Sequence, residues 1–130
     1  MVAEPKKWSG ICCVTRLSSD DTVEYLVVWN RKFKVWCWPG GKIEPGEDIT
    51  KGAMRELAEE AGIQATSIEF WLEMPSSADP SRQVAVYQVS TFVGTPREME
   101  RGCPVTWMTR EDFLAGPHFA PFYDVLLALT

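Results

Sequence analysis

The sequence predicts an α/β fold, a three-layer α/β/α sandwich on a mixed β-sheet. Three observations predict it. Compact β-branched and aromatic runs lie on both sides of one amphipathic segment. Within that segment Ala53, Leu57 and Ala61 recur every four residues, the repeat of a helix with one buried stripe. A further helical pattern closes the chain after the last strand-like run. At 130 residues this is one domain, 1–130, long enough to bury a core without staples.

Residues 10–17 (GICCVTRL) and 24–29 (EYLVVW) read as strands, and the Ser18-Ser19-Asp20-Asp21 turn signal joins them into a hairpin. Residues 30–34 are polar and basic, a short exposed loop. Residues 35–38 lead into Pro39-Gly40-Gly41, expected as a turn because Pro cannot donate and Gly reaches positive φ. Glu44-Pro45-Gly46 is a second turn. A helix is expected from about 49 to 61. Glu47 and Asp48 stand at its start, where negative charge suits the dipole, and Gly62 ends it as the C′ residue. Residues 68–74, 83–92 and 105–108 read as strands, with 75–81 a loop. Thr109 caps a brief helix from Arg110, with Asp112 three residues on. Pro121 suits the first turn of a final helix over 122–129. There is no internal repeat, linker or low-complexity segment.

The formal charge is −5 and the pI about 4.9. A general binder of nucleic-acid backbone needs Lys and Arg to neutralise phosphates, so no stable nucleic-acid partner is expected. A small phosphate compound needs only a local patch, which Lys6, Lys7, Arg31, Lys32, Lys34 and Lys42 could supply. The four cysteines lack zinc-type spacing and there is one His. The first ten residues have no apolar signal-peptide core, and no apolar run approaches membrane-spanning length. A cytoplasmic protein with free thiols, monomer or homodimer, and no membrane partner is the expectation.

Residues 41–63 (GKIEPGEDITKGAMRELAEEAGI) carry the chemistry. On the expected helix, Glu56, Glu59 and Glu60 stand at i, i+3 and i+4, so three carboxylates share one face. Like charges at that spacing repel by a few tenths of a kcal/mol per pair. A hard divalent cation bound through oxygen offsets this. An acidic helix face is usually just solvated surface. Here Gly41, Glu47 and Arg55 also sit at fixed distances from the three carboxylates.

The segment resembles the Nudix box, G-x5-E-x7-R-E-U-x-E-E-x-G-U, with U a bulky aliphatic. Gly41, Glu47, Arg55, Glu56, Leu57, Glu59, Glu60, Gly62 and Ile63 fill every specified position. Seven of these demand one residue type each, and at roughly 6–7% usage per type a chance match is on the order of 10⁻⁸ per start. The resemblance implies the Nudix fold, itself an α/β/α sandwich, and a Mg²⁺-dependent pyrophosphohydrolase, with Mn²⁺ as a substitute. It implies that Glu56, Glu59 and Glu60 serve as metal ligands and base, with no one glutamate assigned as the base. The Gly40 carbonyl is implied as a backbone ligand, and Arg55 as the group that orients the carboxylates. A further acid from a loop before a Trp-Met pair often completes the site in MutT-type members. Glu100, ahead of Trp107-Met108, fits best, and Glu98 is second.

Length, the WPGGK lead-in and the C-terminal tail resemble the MutT-like branch, which acts on nucleoside triphosphates. The implied reaction yields a nucleoside monophosphate and pyrophosphate. In that branch an Asn in F-x-P-x-N often reads a purine; here the stretch is Phe119-Ala120-Pro121-Phe122-Tyr123, with Tyr123 in its place. Tyr offers a ring and one hydroxyl, not the paired donor and acceptor of an amide. Weak base discrimination is therefore expected. Trp29, Phe33, Trp36, Phe119 and Tyr123 are candidates for stacking on a base, and Lys42 for a phosphate; packing explains each aromatic equally well. Alternatives are an RNA 5′-end pyrophosphohydrolase, disfavoured by the acidic pI, and a non-catalytic nucleotide-binding module, which would have no need of the three glutamates.

Overall fold

The structure, a computed structural model, describes residues 6–130. Along the chain run β1 (Lys7–Leu17), β2 (Val23–Asn30), β3 (Val35–Cys37), β4 (Gly40–Lys42), α1 (Ile49–Ala61), β5 (Gln64–Pro75), β6 (Arg82–Val93), β7 (Val105–Thr109), α2 (Arg110–Ala115) and α3 (Phe122–Ala128). The expected hairpin is present, with Thr15, Arg16 and Leu17 of β1 opposite Tyr25, Glu24 and Val23 of β2. The sheet runs β3-β2-β1-β6-β5, with β4 also on β1 and β7 also on β2. The β1–β6 pair is parallel and the others are antiparallel, so the sheet is mixed, as expected.

Strand alternation divides the core in two. Cys12 and Val14 of β1, Leu26 of β2, and Ala85, Tyr87 and Val89 of β6 face α1, meeting Ala53, Leu57 and Ala61. Their neighbours Cys13, Tyr25, Val27, Val84 and Val86 face the other way, meeting Phe113 of α2 and Phe122, Tyr123, Leu126 and Leu127 of α3. Each fully buried Val or Leu contributes about 1.5–3 kcal/mol, so both layers matter to stability. All four cysteines are unpaired, and burial pushes the thiols of Cys12, Cys13 and Cys37 up to about 12. These three thiols pack as small apolar groups. Among the described residues no helix is long and apolar enough to cross a membrane.

Helix α1 has the expected bounds. Asp48 caps it by accepting from the Lys51 N–H at 3.1 Å, and Gly62 ends it at φ 74° with its N–H on the Ala58 carbonyl. Arg97 closes the same end from a distant loop, its Nη1 donating to the Gly62 carbonyl at 3.1 Å. Thr109 caps α2 through the Asp112 N–H, as expected. Pro121 takes the N-cap position of α3 rather than its first turn. β5 starts at Gln64, earlier than its apolar run suggests, because cross-strand pairing extends to Gln64↔Val93.

The Pro39-Gly40-Gly41 segment departs from the expected turn. Gly40 to Lys42 form a short strand, with Gly40 opposite Ile11 and Gly41 opposite Gly10. Positive φ is not what the glycines provide; Gly46, Gly62, Gly94 and Gly102 are the glycines that adopt it. What they provide is space. A Cβ on Gly40 would overlap the Gly10 carbonyl oxygen and lie 2.6 Å from Ile11 Cα. A Cβ on Gly41 would lie 2.5 Å from the Glu56 carboxylate.

Gly40→Ala should therefore cost about 3 kcal/mol or more, at the upper end for overpacking against fixed backbone. Gly46→Ala, with φ of 80° but open space around it, should cost about 1–2 kcal/mol. Urea unfolding of both variants checks the order, and equal losses would show that conformation rather than space sets the requirement at Gly40.

Candidate active site

Arg55 organises the acidic face of α1. Its Nε and Nη2 hold Glu47 at 2.9 and 3.0 Å, and its Nη1 reaches both Glu56 and Glu59 at 3.0 Å. Nη2 also donates to the Lys42 carbonyl at 3.2 Å. The planar guanidinium thus binds three carboxylates and β4 at once, which a lysine could not do. Its hydrogen bonds hold the Glu47 carboxyl down at about 2, and the same carboxylates hold the guanidinium above its ordinary range.

Glu60 differs from its neighbours. Its Oε1 accepts from the Gly40 N–H at 2.6 Å, yet its carboxyl is pushed up to about 8. Burial is the main cause, and the charges of Glu56, Glu100 and Glu59 add to it. Glu56 is also raised, by burial first, with Arg55 opposing and Glu59 and Glu100 adding. Glu59 is the exposed member, its side chain 53% accessible.

The donor set fits a hard divalent cation. It is all oxygen, and four carboxylates stand close enough for their mutual repulsion to be felt at Glu56 and Glu60. Among the described residues no three such side chains already converge around a point. Arg55 draws Glu56 and Glu59, while the Gly40 N–H draws Glu60. Side-chain rotation would have to accompany binding. Glu100 is the loop acid whose charge reaches both Glu56 and Glu60.

An apolar cleft adjoins this face. Gly40 and Gly41 form its border with the acidic helix, and Ile11, Trp38, Val84 and Phe119 line its walls. Of the expected aromatic contacts, Phe119 is in the cleft. Phe33, 45% exposed, reaches it only by packing edge-on against Phe119 at 5.4 Å. Trp29 lies outside, edge-on to Trp36 at 5.2 Å. Lys42 lines a different cleft, with Lys6, Lys7 and Arg82.

Tyr123 corrects the expectation of a free hydroxyl offered to a base. It lines the cleft but is 2% exposed, packed edge-on against Trp38, Phe113 and Phe122. Its hydroxyl oxygen accepts from the Trp38 N–H at 3.0 Å. Tyr123 therefore anchors the segment leading into Gly40, because Trp38 belongs to an irregular stretch whose N–H has no ladder partner. Sequence reasoning also missed the Ser76-Ser77-Ala78 loop that lines the cleft, and Ile11 and Val84 in its walls. No local signal marks these residues; pairing of β1 with β6 brings Ile11 and Val84 together.

The chain is similar to known proteins in sequence and in fold. The NUDIX domain family model matches residues 6–129. The CTP pyrophosphohydrolase of Escherichia coli is 31% identical over 105 residues, covering 73% of each chain. Nudix hydrolase 3 of Caenorhabditis elegans is 41% identical over 58 residues, 45% of this chain and 23% of that protein. The chain thus spans about a quarter of that longer relative. A solved structure from work on MutT of Aliivibrio salmonicida and Vibrio cholerae superposes with a TM-score of 0.73 at 25% identity, covering 95% of this chain and 93% of that one.

Two outcomes test the site's chemistry. An unfolded glutamate ionises near 4.5, but native Glu60 holds its proton up to about 8. The native state then binds more protons in that window, so stability of the metal-free protein should fall as pH rises from about 4.5 through 8. Glu60→Gln should flatten this slope, worth on the order of a few kcal/mol, in denaturant titrations at pH 5 and pH 9. Tyr123→Phe should cost about 1–3 kcal/mol, because it leaves the buried Trp38 N–H without an acceptor. An unchanged unfolding midpoint would show that this bond contributes nothing.

Proposed function

The chain belongs to the Nudix hydrolase family, in its MutT-like part, and we propose that it hydrolyses a phosphoanhydride bond of a nucleotide with Mg²⁺ as cofactor. The substrate is a nucleoside triphosphate or a related nucleoside diphosphate derivative. With a triphosphate the products are the nucleoside monophosphate and pyrophosphate. One observation carries this reading: the carboxylates grouped by Arg55 stand directly beside an apolar cleft that shares Gly40 and Gly41 with them.

A phosphoanhydride is a good electrophile shielded by its own negative charge. Cleaving it needs charge neutralisation, an oriented water and a proton acceptor. Glu56, Glu59, Glu60 and Glu100, with the Gly40 carbonyl, would hold the cation, which supplies charge neutralisation and a more acidic water when bound. Among these carboxylates one accepts the proton of the attacking water. Arg55 orients Glu56 and Glu59, and the Gly40 N–H orients Glu60. The aromatic and aliphatic walls of the cleft suit the base of a nucleotide, with Trp38 and Phe119 as contact surfaces.

Glu59→Gln and Glu60→Gln should each lower turnover by orders of magnitude with the fold intact, and chelation of the cation should abolish activity. Phosphate-release and chromatographic assays across nucleoside triphosphates, sugar nucleotides and 5′-triphosphorylated RNA score the substrate. Near-wild-type rates for both variants at saturating Mg²⁺ would remove the catalytic assignment. Orthophosphate as the first product would point to a stepwise phosphatase instead. In base preference, kcat/KM for several nucleoside triphosphates should agree within about a factor of 100, since no free amide faces the cleft from Tyr123. A thousandfold preference for one base would require a reader elsewhere in the cleft.

A further inference from the structure

Residues 94–104, between β6 and β7, form the loop that carries Glu100. Its two ends are tied to different elements. At the far end, Arg31 Nη1 donates to the Arg101 carbonyl at 2.9 Å, and the Trp29 N–H of β2 donates to the Pro104 carbonyl at 2.9 Å. The Cys103 N–H donates to the Glu100 carbonyl at 3.0 Å, closing a turn in which Gly102 adopts φ 83°. These contacts fix the loop beside β2.

The near end sits on the C-terminus of α1. The Arg97 N–H donates to the Ala61 carbonyl at 3.0 Å. Its Nη1 donates to the Gly62 carbonyl at 3.1 Å and to the Thr95 carbonyl at 3.3 Å. The last carbonyls of a helix lack intrahelical donors and carry the negative end of its dipole, so a guanidinium suits them twice over. The fit is close. A Cβ on Gly62 would lie 2.8 Å from Arg97 Nη1 and 3.0 Å from Met99 Sδ, and a Cβ on Gly94 would lie 3.1 Å from the Gly62 carbonyl oxygen. Among the described residues, the hydrogen bonds that join this loop to α1 are those of Arg97.

This joint lies next to the carboxylates. Ala61, which accepts from Arg97, directly follows Glu60. Glu100 is three residues beyond Arg97, a reach of at most about 10–11 Å along the chain. The charge of Glu100 is felt at both Glu56 and Glu60. Repulsion among these carboxylates opposes their approach when no cation lies between them. Glu56, Glu59 and Glu60 are held by Arg55 and by the Gly40 N–H. For Glu100, on a different segment, Arg97 is the link to the helix that carries the other three.

We propose that Arg97 is a positioning residue: by clamping the loop to the end of α1, it keeps Glu100 in reach of the cation that Glu56, Glu59 and Glu60 would hold. The role rests on the proposed function, in which Glu100 completes the cation's oxygen ligands. Arg97 itself touches neither cation nor substrate. Its charge acts in the opposite sense, because a guanidinium near a cation site weakens cation binding through its field. A gain in cation affinity from Arg97 therefore comes from placement. A helix cap with no further role would support stability without any dependence on Glu100.

The test is a double-mutant cycle read by binding of Mn²⁺ alone, measured calorimetrically on the full chain without nucleotide. Circular dichroism establishes that each variant is folded at the working temperature, and Arg97→Gln is the milder second variant, with the same expected sign. Arg97→Ala should weaken Mn²⁺ binding about tenfold, the usual loss when a group that orients a metal ligand is removed. Glu100→Gln should weaken it at least as much. In the double variant the loss should stay within about twofold of Glu100→Gln alone, since Arg97 then has nothing left to position. The drop in melting temperature from losing the cap should be the same in both backgrounds. Arg101→Ala, which removes an exposed cation from the same loop, should leave Mn²⁺ affinity unchanged or tighter. Wild-type affinity in Arg97→Ala, or no Mn²⁺ binding by wild type, overturns the proposal. A full further loss in the double variant overturns it in favour of support to α1 itself. A weakening by Arg101→Ala equal to that by Arg97→Ala overturns it in favour of a general effect of the loop. Hydrolysis of nucleoside triphosphates is scored separately: if the binding pattern holds and wild type cleaves none, the hydrolase reading fails and the positioning role stands.

Discussion

The Arg55 guanidinium sets the constraint from which the rest of the site follows. Four acidic side chains, Glu47, Glu56, Glu59 and Glu60, crowd one face of a helix and the turn before it. Like charges at this spacing repel one another. Arg55 draws Glu47, Glu56 and Glu59 to one point and fastens that point to the Lys42 carbonyl. The acidic face is thereby registered against β4 rather than free beside it. Glu60, the carboxylate Arg55 does not reach, is held by the backbone of the same strand.

That registry is possible only because Gly40 and Gly41 of β4 bring no side chains against β1 and α1. Gly40 lies against the backbone of Gly10 and Ile11, and Gly41 against the Glu56 carboxylate. The strand also contributes to two clefts of different character, Gly40 and Gly41 to an apolar one and Lys42 to one lined by Lys6, Lys7 and Arg82. Tyr123 and Trp38 extend the same support from the other layer of the sandwich, through a buried hydrogen bond into the segment that precedes Gly40. A residue of the last helix thus positions the first glycine of the site.

The opposite shifts of Glu47 and Glu60 show how one element produces two kinds of carboxyl. Glu47 faces a cation and stays ionised at low pH; Glu60 is buried among like charges and takes up a proton near neutrality. The first is suited to holding structure. The second is suited to exchanging its proton for a positive ion, which makes it the most sensitive member of the group to what occupies the site.

Local pattern determined a good deal. The bounds of α1, its Gly62 stop and its buried Ala53-Leu57-Ala61 stripe follow from helical period and backbone preference, which act over a few residues. So does the placing of Glu56, Glu59 and Glu60 on one face, since i, i+3 and i+4 is a property of any helix. The mixed three-layer fold was legible from the order of its elements. Tertiary structure alone decided the purpose of Gly40 and Gly41, expected as a turn but needed as space, because β1 and Glu56 come from elsewhere in the chain. It likewise decided that Tyr123 spends its hydroxyl on Trp38, that Trp29 lies away from the cleft, and that Lys42 lines a different cleft with Lys7 and Arg82. Each depends on contacts between residues far apart in sequence. Composition and periodicity carry no record of such contacts; the pairing of strands creates them.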